Sequence, residues 1–388
     1  MSWPEVKLSK VIEYIRGVTF KPSQKMEPYS EGSVVCFTTA NVQDELDITK
    51  LTAIEETVVK NDERFIRPGD LLISSANSWD LVGKTIHVPD LDYKATAGGF
   101  IGIIRPTNID SRYLYYWITS SESQVKIRHL GRKTTNISNL SIPRFLNLKI
   151  PLPSLDEQKR IASILDKADE IKRASVKTKE LKKMMIDCIF REMFGEYFAD
   201  DKHAMEIENV ANFIDYRGKT PPRVQAGIPL INAKCVRPGY FLKEKIDFIE
   251  KDTYSKIMTR GYPVIGDVLF TTEGATMGYT CRIPEGFDEF SVGQRLITLQ
   301  TKENYNSIVL EYMLNSIEVQ GKINQSATGS AAKGIRSARF AKIRIPCPPI
   351  DLQNKFASIV RKIERSNLGN ISDYSTNLAN SLTQEILT

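Results

Sequence analysis

Much of what would fix a chemical reaction is missing from this sequence. The five cysteines, Cys36, Cys188, Cys235, Cys281 and Cys347, are odd in number and far apart, so neither a disulfide framework nor a zinc module is indicated and reduced thiols are expected. Only three histidines occur, His87, His129 and His203, with no His-Glu-x-x-His pair and no Cys/His cluster, so no metal site is expected. There is no apolar run of about 18 residues, and the start Met1-Ser-Trp-Pro-Glu5 has neither a basic nor an apolar leader segment. A cytoplasmic protein with no membrane partner is the expectation.

Catalytic motifs fail on their own spacing. Lys84-Thr85 after Gly83, and Lys219-Thr220 after Gly218, look like the ends of phosphate loops, but Ser78 and Phe213 stand where the earlier glycine is required. No Gly-x-Ser-x-Gly elbow is present. Asp90, Asp92 and Lys94 are the residue types of a metal-dependent nuclease, yet they are nearly contiguous and read as a turn. The double prolines Thr220-Pro-Pro-Arg223 and Cys347-Pro-Pro-Ile350 lack the preceding Asn or Asp and the following aromatic ring with which an amino-methyltransferase holds its target base. The pattern is that of a binder, not an enzyme.

What the sequence does contain is a duplication. Leu148-Lys-Ile-Pro-Leu-Pro-Ser-Leu-Asp-Glu-Gln-Lys-Arg-Ile-Ala-Ser-Ile-Leu165 returns 195 positions later as Ile343-Arg-Ile-Pro-Cys-Pro-Pro-Ile-Asp-Leu-Gln-Asn-Lys-Phe-Ala-Ser-Ile-Val360. Arg67-Pro-Gly-Asp-Leu-Leu-Ile73 is answered by Val264-Ile-Gly-Asp-Val-Leu-Phe270, each a turn running into a buried strand. Val82-Gly83 is echoed by Met277-Gly278. With 388 residues, 41% of them hydrophobic, the chain can build two cores of ordinary domain size. A net charge of +6 permits a polyanionic partner without requiring one.

Each half ends in a long helix. Ser154-Leu-Asp-Glu157 fits a capping box, with Asp156 as an alternative cap, and no Pro or Gly follows before Gly195. Asp351 is the expected cap of the second helix, and Gly369 and Asn370 interrupt its apolar pattern. About 35 residues make a rod of about 50 Å, too long to bury inside one domain, so the two rods are expected to pair. The expected packing residues are Ile161, Ile164, Leu165, Ala168 and Ile171 on the first, and Phe356, Ile359 and Ile363 on the second. The basic run from Lys172 to Lys183 reads as a solvated face or as a track for phosphates.

The proline-led helix starts carry a resemblance. Pro151-Leu-Pro153 with Glu157-Gln158, Ile161-Ala162 and Ile164-Leu165, repeated as Pro346-Cys-Pro348 with Gln353, Phe356-Ala357 and Ile359-Val360, resembles the specificity subunit of type I restriction-modification enzymes; Leu352 departs from the Glu usual before the glutamine. The resemblance implies an α+β chain with a pseudo-two-fold internal repeat. Its parts are a target recognition domain at 1–153, a helical region at 154–198, a second recognition domain at 199–348 and a second helical region at 349–388, with the two helices in an antiparallel coiled coil. It also implies double-stranded DNA as ligand, two methyltransferase (modification) subunits and restriction or translocase subunits as partners. No cofactor is then expected on this chain; S-adenosylmethionine, ATP and Mg belong to the partners.

Such a chain would read an asymmetric bipartite target across an unread spacer, using Arg or Lys for guanine and Asn or Gln for adenine. The first candidate group lies on two matched basic, glycine-containing loops: Arg128, Arg132, Lys133 and Asn136 around Gly131, and Lys333, Arg336 and Arg339 between Gly329 and Arg339. A second group is Arg16, Asn77 and Lys84 in the first half, and Arg217, Lys219, Arg223, Gln294 and Arg295 in the second. The alternatives are a helix-dimerised scaffold that binds only protein and, more remotely, an enzyme.

Overall fold

The computed structural model describes residues 3–133, 137–199, 201–216, 220–329 and 333–366, with the side chains of Arg132 and Lys133 left aside. The chain divides after Lys177 into two compact units.

In the first unit, strand Glu5–Lys7 pairs antiparallel with Lys149–Pro151, so the start of the chain closes on the segment that leads into the long helix. The central sheet runs Ile12–Arg16, Ile101–Pro106, Leu71–Ser74, Thr85–His87, all antiparallel. Leu71, Leu72 and Ile73 are all buried because both sheet faces are covered. Leu71 and Ile73 face a core shared with helices α1 (Ser111–Thr119) and α2 (Ser121–His129), whereas Leu72 joins Ile15, Ile86 and Ile103 beneath a second sheet. That sheet contains Ser33–Phe37 between Ala53–Glu55 and, in parallel, Ala95–Ala97. Asp110 starts α1 by accepting the Arg112 and Tyr113 N–H groups, and Ser120 both ends α1 and caps α2. After α2 come the short helix α3 (Ile142–Leu146) and the 40-residue helix α4 (Leu155–Phe194), about 60 Å long at 1.5 Å per residue.

The second unit repeats this plan. Ala204–Glu206 pairs with Arg344–Pro346, and the central sheet runs Ala211–Asp215, Leu296–Thr301, Val268–Thr271, Thr280–Arg282, the same order with the same antiparallel sense. Its side sheet has Ile228–Ile231 between Asp247–Ile249 and, again in parallel, Ser291–Val292. Helices α5 (Ile207–Val210) and α6 (Lys251–Ile257) come early, then α7 (Ser307–Asn315) and α8 (Ile317–Ser326) correspond to α1 and α2, α9 (Ser337–Ala341) to α3, and α10 (Ile350–Arg365) to the start of α4.

The duplicated motif owes its residues to one hydrogen-bonded clamp. Gln158 is 2% exposed; its Oε1 accepts the Asp110 N–H at 2.8 Å and its Nε2 donates to the Pro153 carbonyl at 2.9 Å. Gln353, fully buried, does the same with the Asn306 N–H at 2.9 Å and the Pro348 carbonyl at 2.8 Å. Each glutamine thus joins the proline-bracketed approach, the start of α1 or α7, and the first turn of the long helix. The Pro151 and Pro346 carbonyls beside it are each met by a tyrosine hydroxyl, from Tyr113 at 2.8 Å and Tyr305 at 2.7 Å.

The Gly-Asp turns are held alike but with different partners. Asp70 accepts the Arg67 N–H, and Arg105 grips both its oxygens at 3.0 and 2.7 Å while donating to the Glu63 and Phe65 carbonyls. Asp267 accepts the Val264 N–H and, where the first unit has Arg105, Gln300 at 2.9 Å; burial pushes its carboxyl pKa up against those two bonds. Gly83 and Gly278 sit at φ 84° and 88°, the left-handed region that favours glycine. Their carbonyls accept from Gln124 and Gln320.

Several expectations about the helices change. Ile161 and Leu165 are parts of the first domain core. Phe356 lies in the second core, where its ring meets Phe190 and Phe194 of α4 at 5.6 and 5.3 Å and so joins the two long helices, and Ile363 packs against that core. Ala168 is buried, Ile164 and Ile359 are half-buried, and Ile171 is 47% exposed. At the start of α4, an apolar period read as a helix-to-helix seam is therefore the stripe that seats the helix in its domain. Asp351 lies inside the first turn of α10, with Pro349 as its cap. In the capping box, Ser154 accepts the Glu157 N–H but Glu157 turns to Arg160. The expected pairing with residues beyond Ser366 lies outside the described residues.

Two predictions follow from these anchors. Gln353→Ala strands two main-chain groups and should cost about 2–6 kcal/mol, at roughly 1–3 for each unsatisfied group; a loss below about 0.5 kcal/mol in urea unfolding of the full chain would contradict the clamp. Arg105→Ala leaves a buried carboxylate without its cation and should cost about 3–5 kcal/mol. Arg105→Gln, which copies the second unit, should cost clearly less, and equal losses for the two variants would refute the equivalence.

Candidate nucleic-acid interface

In the first unit, three strands bring several candidates into register. Gly131–Lys133 pairs with Ser138–Leu140 as a hairpin, and Ser138 lies opposite both Lys133 and Asn77 of strand Ala76–Asn77. Arg132 and Lys133 are thus on a strand, where the sequence implied a loop, and Asn136 falls outside the described residues. Arg128 is at the end of α2, half-buried, with Nε donating to the Gln124 carbonyl at 3.2 Å. Asn77 donates to Ser74 Oγ at 3.1 Å. Arg16 is exposed at the end of its strand, opposite Gly102. Lys84 is occupied by Gln43 at 3.2 Å and Asp44 at 3.3 Å.

The corresponding region of the second unit repeats this pairing in reduced form, with Gly334 bridged antiparallel to both Thr328 and Glu273, and the Ile335 N–H on the Thr272 carbonyl as the Leu140 N–H is on that of Ser75. Lys333 is exposed and its carbonyl accepts the Gly274 N–H. Arg336 caps α9 and Arg339 is within it, both exposed, so they belong to a helix start instead of a free loop.

A cleft of about 510 Å³ gathers residues far apart in the second unit's sequence. Its walls include Arg223, Asn232, Lys234, Arg260, Gln294 and Arg295, and Lys256 adds a fifth cation. Four of the five cations are held by carboxylates. Asp247 takes Arg223 at 3.1 Å and Lys234 at 2.6 Å and also accepts from Asn232; Asp215 takes Arg260 at 2.8 Å, and Glu273 takes Arg295 at 2.8 Å. Gln294 donates to Thr220 Oγ1 at 3.0 Å. The Arg295–Glu273 pair is exposed on both sides and is worth about 0.2–1 kcal/mol, so exchanging that carboxylate for another acceptor costs little, whereas Asp247 and Asp215 are half-buried.

A family model described as the type I restriction modification DNA specificity domain matches residues 2–183 and again 201–373. The chain belongs to this family. The specificity subunit of the type I restriction enzyme EcoKI from Escherichia coli K12 is 25% identical over 94% of this chain and 82% of its own length. That of MjaVIII from Methanocaldococcus jannaschii is 24% identical over 93% of this chain and 86% of its own. The crystal structure of a type I restriction-modification S subunit from M. genitalium superposes with a TM-score of 0.63, covering 100% of this chain and 96% of that one at 14% identity, which shows the shared fold.

For a specificity subunit, the cleft brings together Arg223, Gln294 and Arg295 of the expected candidates; Arg217 and Lys219 fall outside the described residues. It also adds Asn232, Lys234, Lys256 and Arg260, which sequence reasoning missed. Their signal was present as cations spread through residues 223–260, but only the fold turns them onto one surface. No group of three or more His, Cys, Asp or Glu among the described residues is arranged to hold a metal ion.

If this cleft faces phosphates, Asp247→Asn frees Arg223 and Lys234 and should steepen the dependence of log affinity on log salt by about one unit per phosphate gained. Fluorescence anisotropy across a salt series measures it, and an unchanged slope would remove the cleft from the interface.

Proposed function

We propose that this chain is the DNA-reading subunit of a type I restriction-modification complex, that it reads an asymmetric bipartite double-stranded target with one recognition domain per half-site, and that it holds no catalytic centre of its own. Methyl transfer and cleavage then belong to two modification subunits and the restriction subunits docked on it, which carry S-adenosylmethionine, ATP and Mg in the cytoplasm. The observation that carries this reading is the repeated domain frame bearing unlike residues: the same strand order and the same glutamine clamp support the strand pair that carries Asn77 in one half and the five-cation cleft in the other. Two copies of a frame suit two grooves of DNA, and unlike side chains suit unlike half-sites.

A protein-binding scaffold is the second reading, favoured by exposed Ile171, Leu181, Met184 and Met185 on α4. Mapping methylation across a host genome, after expressing the chain with and without its methyltransferase, separates the two. A new asymmetric bipartite motif that needs both chains supports the DNA-reading role; no motif from a verified complex with an active methyltransferase supports the scaffold.

In this account α4 also helps to set the unread spacer. Inserting four helix-forming residues near Ala174 adds about 6 Å of helix and should lengthen the spacer by about one or two base pairs. An unchanged spacer in the methylation motif would rule that out.

A further inference from the structure

One surface turn is built identically in both units yet carries unrelated side chains. In the first unit it covers residues 98–101, linking strand Ala95–Ala97 to Ile101–Pro106, and it closes with the Ile101 N–H on the Gly98 carbonyl at 2.8 Å. In the second it covers residues 293–296, linking Ser291–Val292 to Leu296–Thr301, and the Leu296 N–H closes it on the Gly293 carbonyl at 3.0 Å. Gly98 donates to the Phe37 carbonyl and Gly293 to that of Ile231, at 2.8 and 2.7 Å. The carbonyl of the third turn residue is held by one neighbouring residue in both units, Phe100 by the Ser75 N–H and hydroxyl at 2.8 and 2.9 Å, Arg295 by the Thr272 N–H and hydroxyl at 2.9 and 3.1 Å; Phe100 also accepts the Ala76 N–H at 3.3 Å.

The first turn residue is buried glycine in both units, and a Cβ on Gly293 would meet Asn232 Oδ1 at 2.4 Å. The two central residues are exposed in both, and here the units part: Gly99-Phe100 stands where the other has Gln294-Arg295. Phe100 is 62% exposed, a large apolar ring in water where no packing calls for it. The neighbouring strand changes with it. Ala76 follows Ser75 as Glu273 follows Thr272, and Glu273 holds Arg295 through Nε, leaving the two Nη atoms outside that contact.

We infer that the central residues of this turn are paired specificity positions of the chain, with Phe100 reading a thymine methyl in one half-site and Gln294-Arg295 reading purine edges in the other. The inference rests on the DNA-reading function proposed above. A backbone pinned at three points presents its side chains at low entropic cost, which direct readout needs. Phenylalanine is among the side chains that contact the thymine methyl; a guanidinium with two unoccupied nitrogens matches guanine O6 and N7, and a glutamine amide matches adenine.

The test co-expresses the full chain with its methyltransferase and maps methylated sites for Phe100→Ala, Arg295→Lys and the exchange G99Q/F100R. Copurification of each variant with the methyltransferase verifies the fold. Phe100→Ala should relax one thymine-containing position, by about fivefold or more, in one half of the motif only. Arg295→Lys keeps the charge but loses the two-pronged contact, and should relax one position in the opposite half by roughly 5- to 100-fold. The exchange should move the first half's preference toward a purine. An unchanged motif in all three, or a uniform fall in methylation without altered base preference, overturns the inference. A wild-type complex that yields no motif would instead defeat the functional proposal on which it stands.

Discussion

Gln158 and Gln353 make the interaction on which the rest of the molecule depends. Each sits in the first turn of a long helix, buried, and spends both ends of its amide on main chain: one on the proline segment that delivers the chain to the helix, the other on the start of α1 or α7. An amide is the side-chain group that donates and accepts at once with a short, branched reach; a carboxylate could not donate to the Pro153 or Pro348 carbonyl. The prolines keep the approach extended, and the isoleucine, leucine and phenylalanine on the same helical face enter the core. At its other end, α4 seats Ile186, Phe190 and Phe194 in the second unit's core, so one helix is structural to both.

Around that anchor the two units keep their frame and vary what the frame presents. The strand order, the glycine at positive φ in the Gly83 and Gly278 turns, and the turns closed by Ile101 and Leu296 are the same in both. Side chains with equivalent tasks differ where only the task matters, as with Arg105 and Gln300 on their buried aspartates. They differ without structural need at the exposed turn positions, where the backbone is already satisfied. The proposed reading of two different stretches of one polymer would require that division.

The sequence carried the duplication, the helix starts, the buried Gly-Asp strands and the family resemblance plainly, because these depend on local spacing. It misled where a local pattern had a tertiary use. The apolar repeat from Ile161 to Leu165 looked like a seam between helices but is the domain core, since a helix stripe has the same period whatever covers it. Lys84, Arg223 and Arg295 looked like open cations, but Asp44, Asp247 and Glu273, their partners, are 22 to 40 residues distant and meet them only through the fold. Phe100 was passed over entirely, because an aromatic after two glycines reads as one more core residue until its exposure is known.

The most direct test of the account is the structure of this chain with its methyltransferase on DNA bearing the motif that the complex methylates, determined by electron cryomicroscopy. The account predicts the turns at 98–101 and 293–296 against base edges in two separate major-groove segments, with Arg223, Lys234, Lys256 and Arg260 of the cleft on the adjoining phosphates of the second. Turns directed into solvent, with the DNA carried by another face of the units, would contradict it.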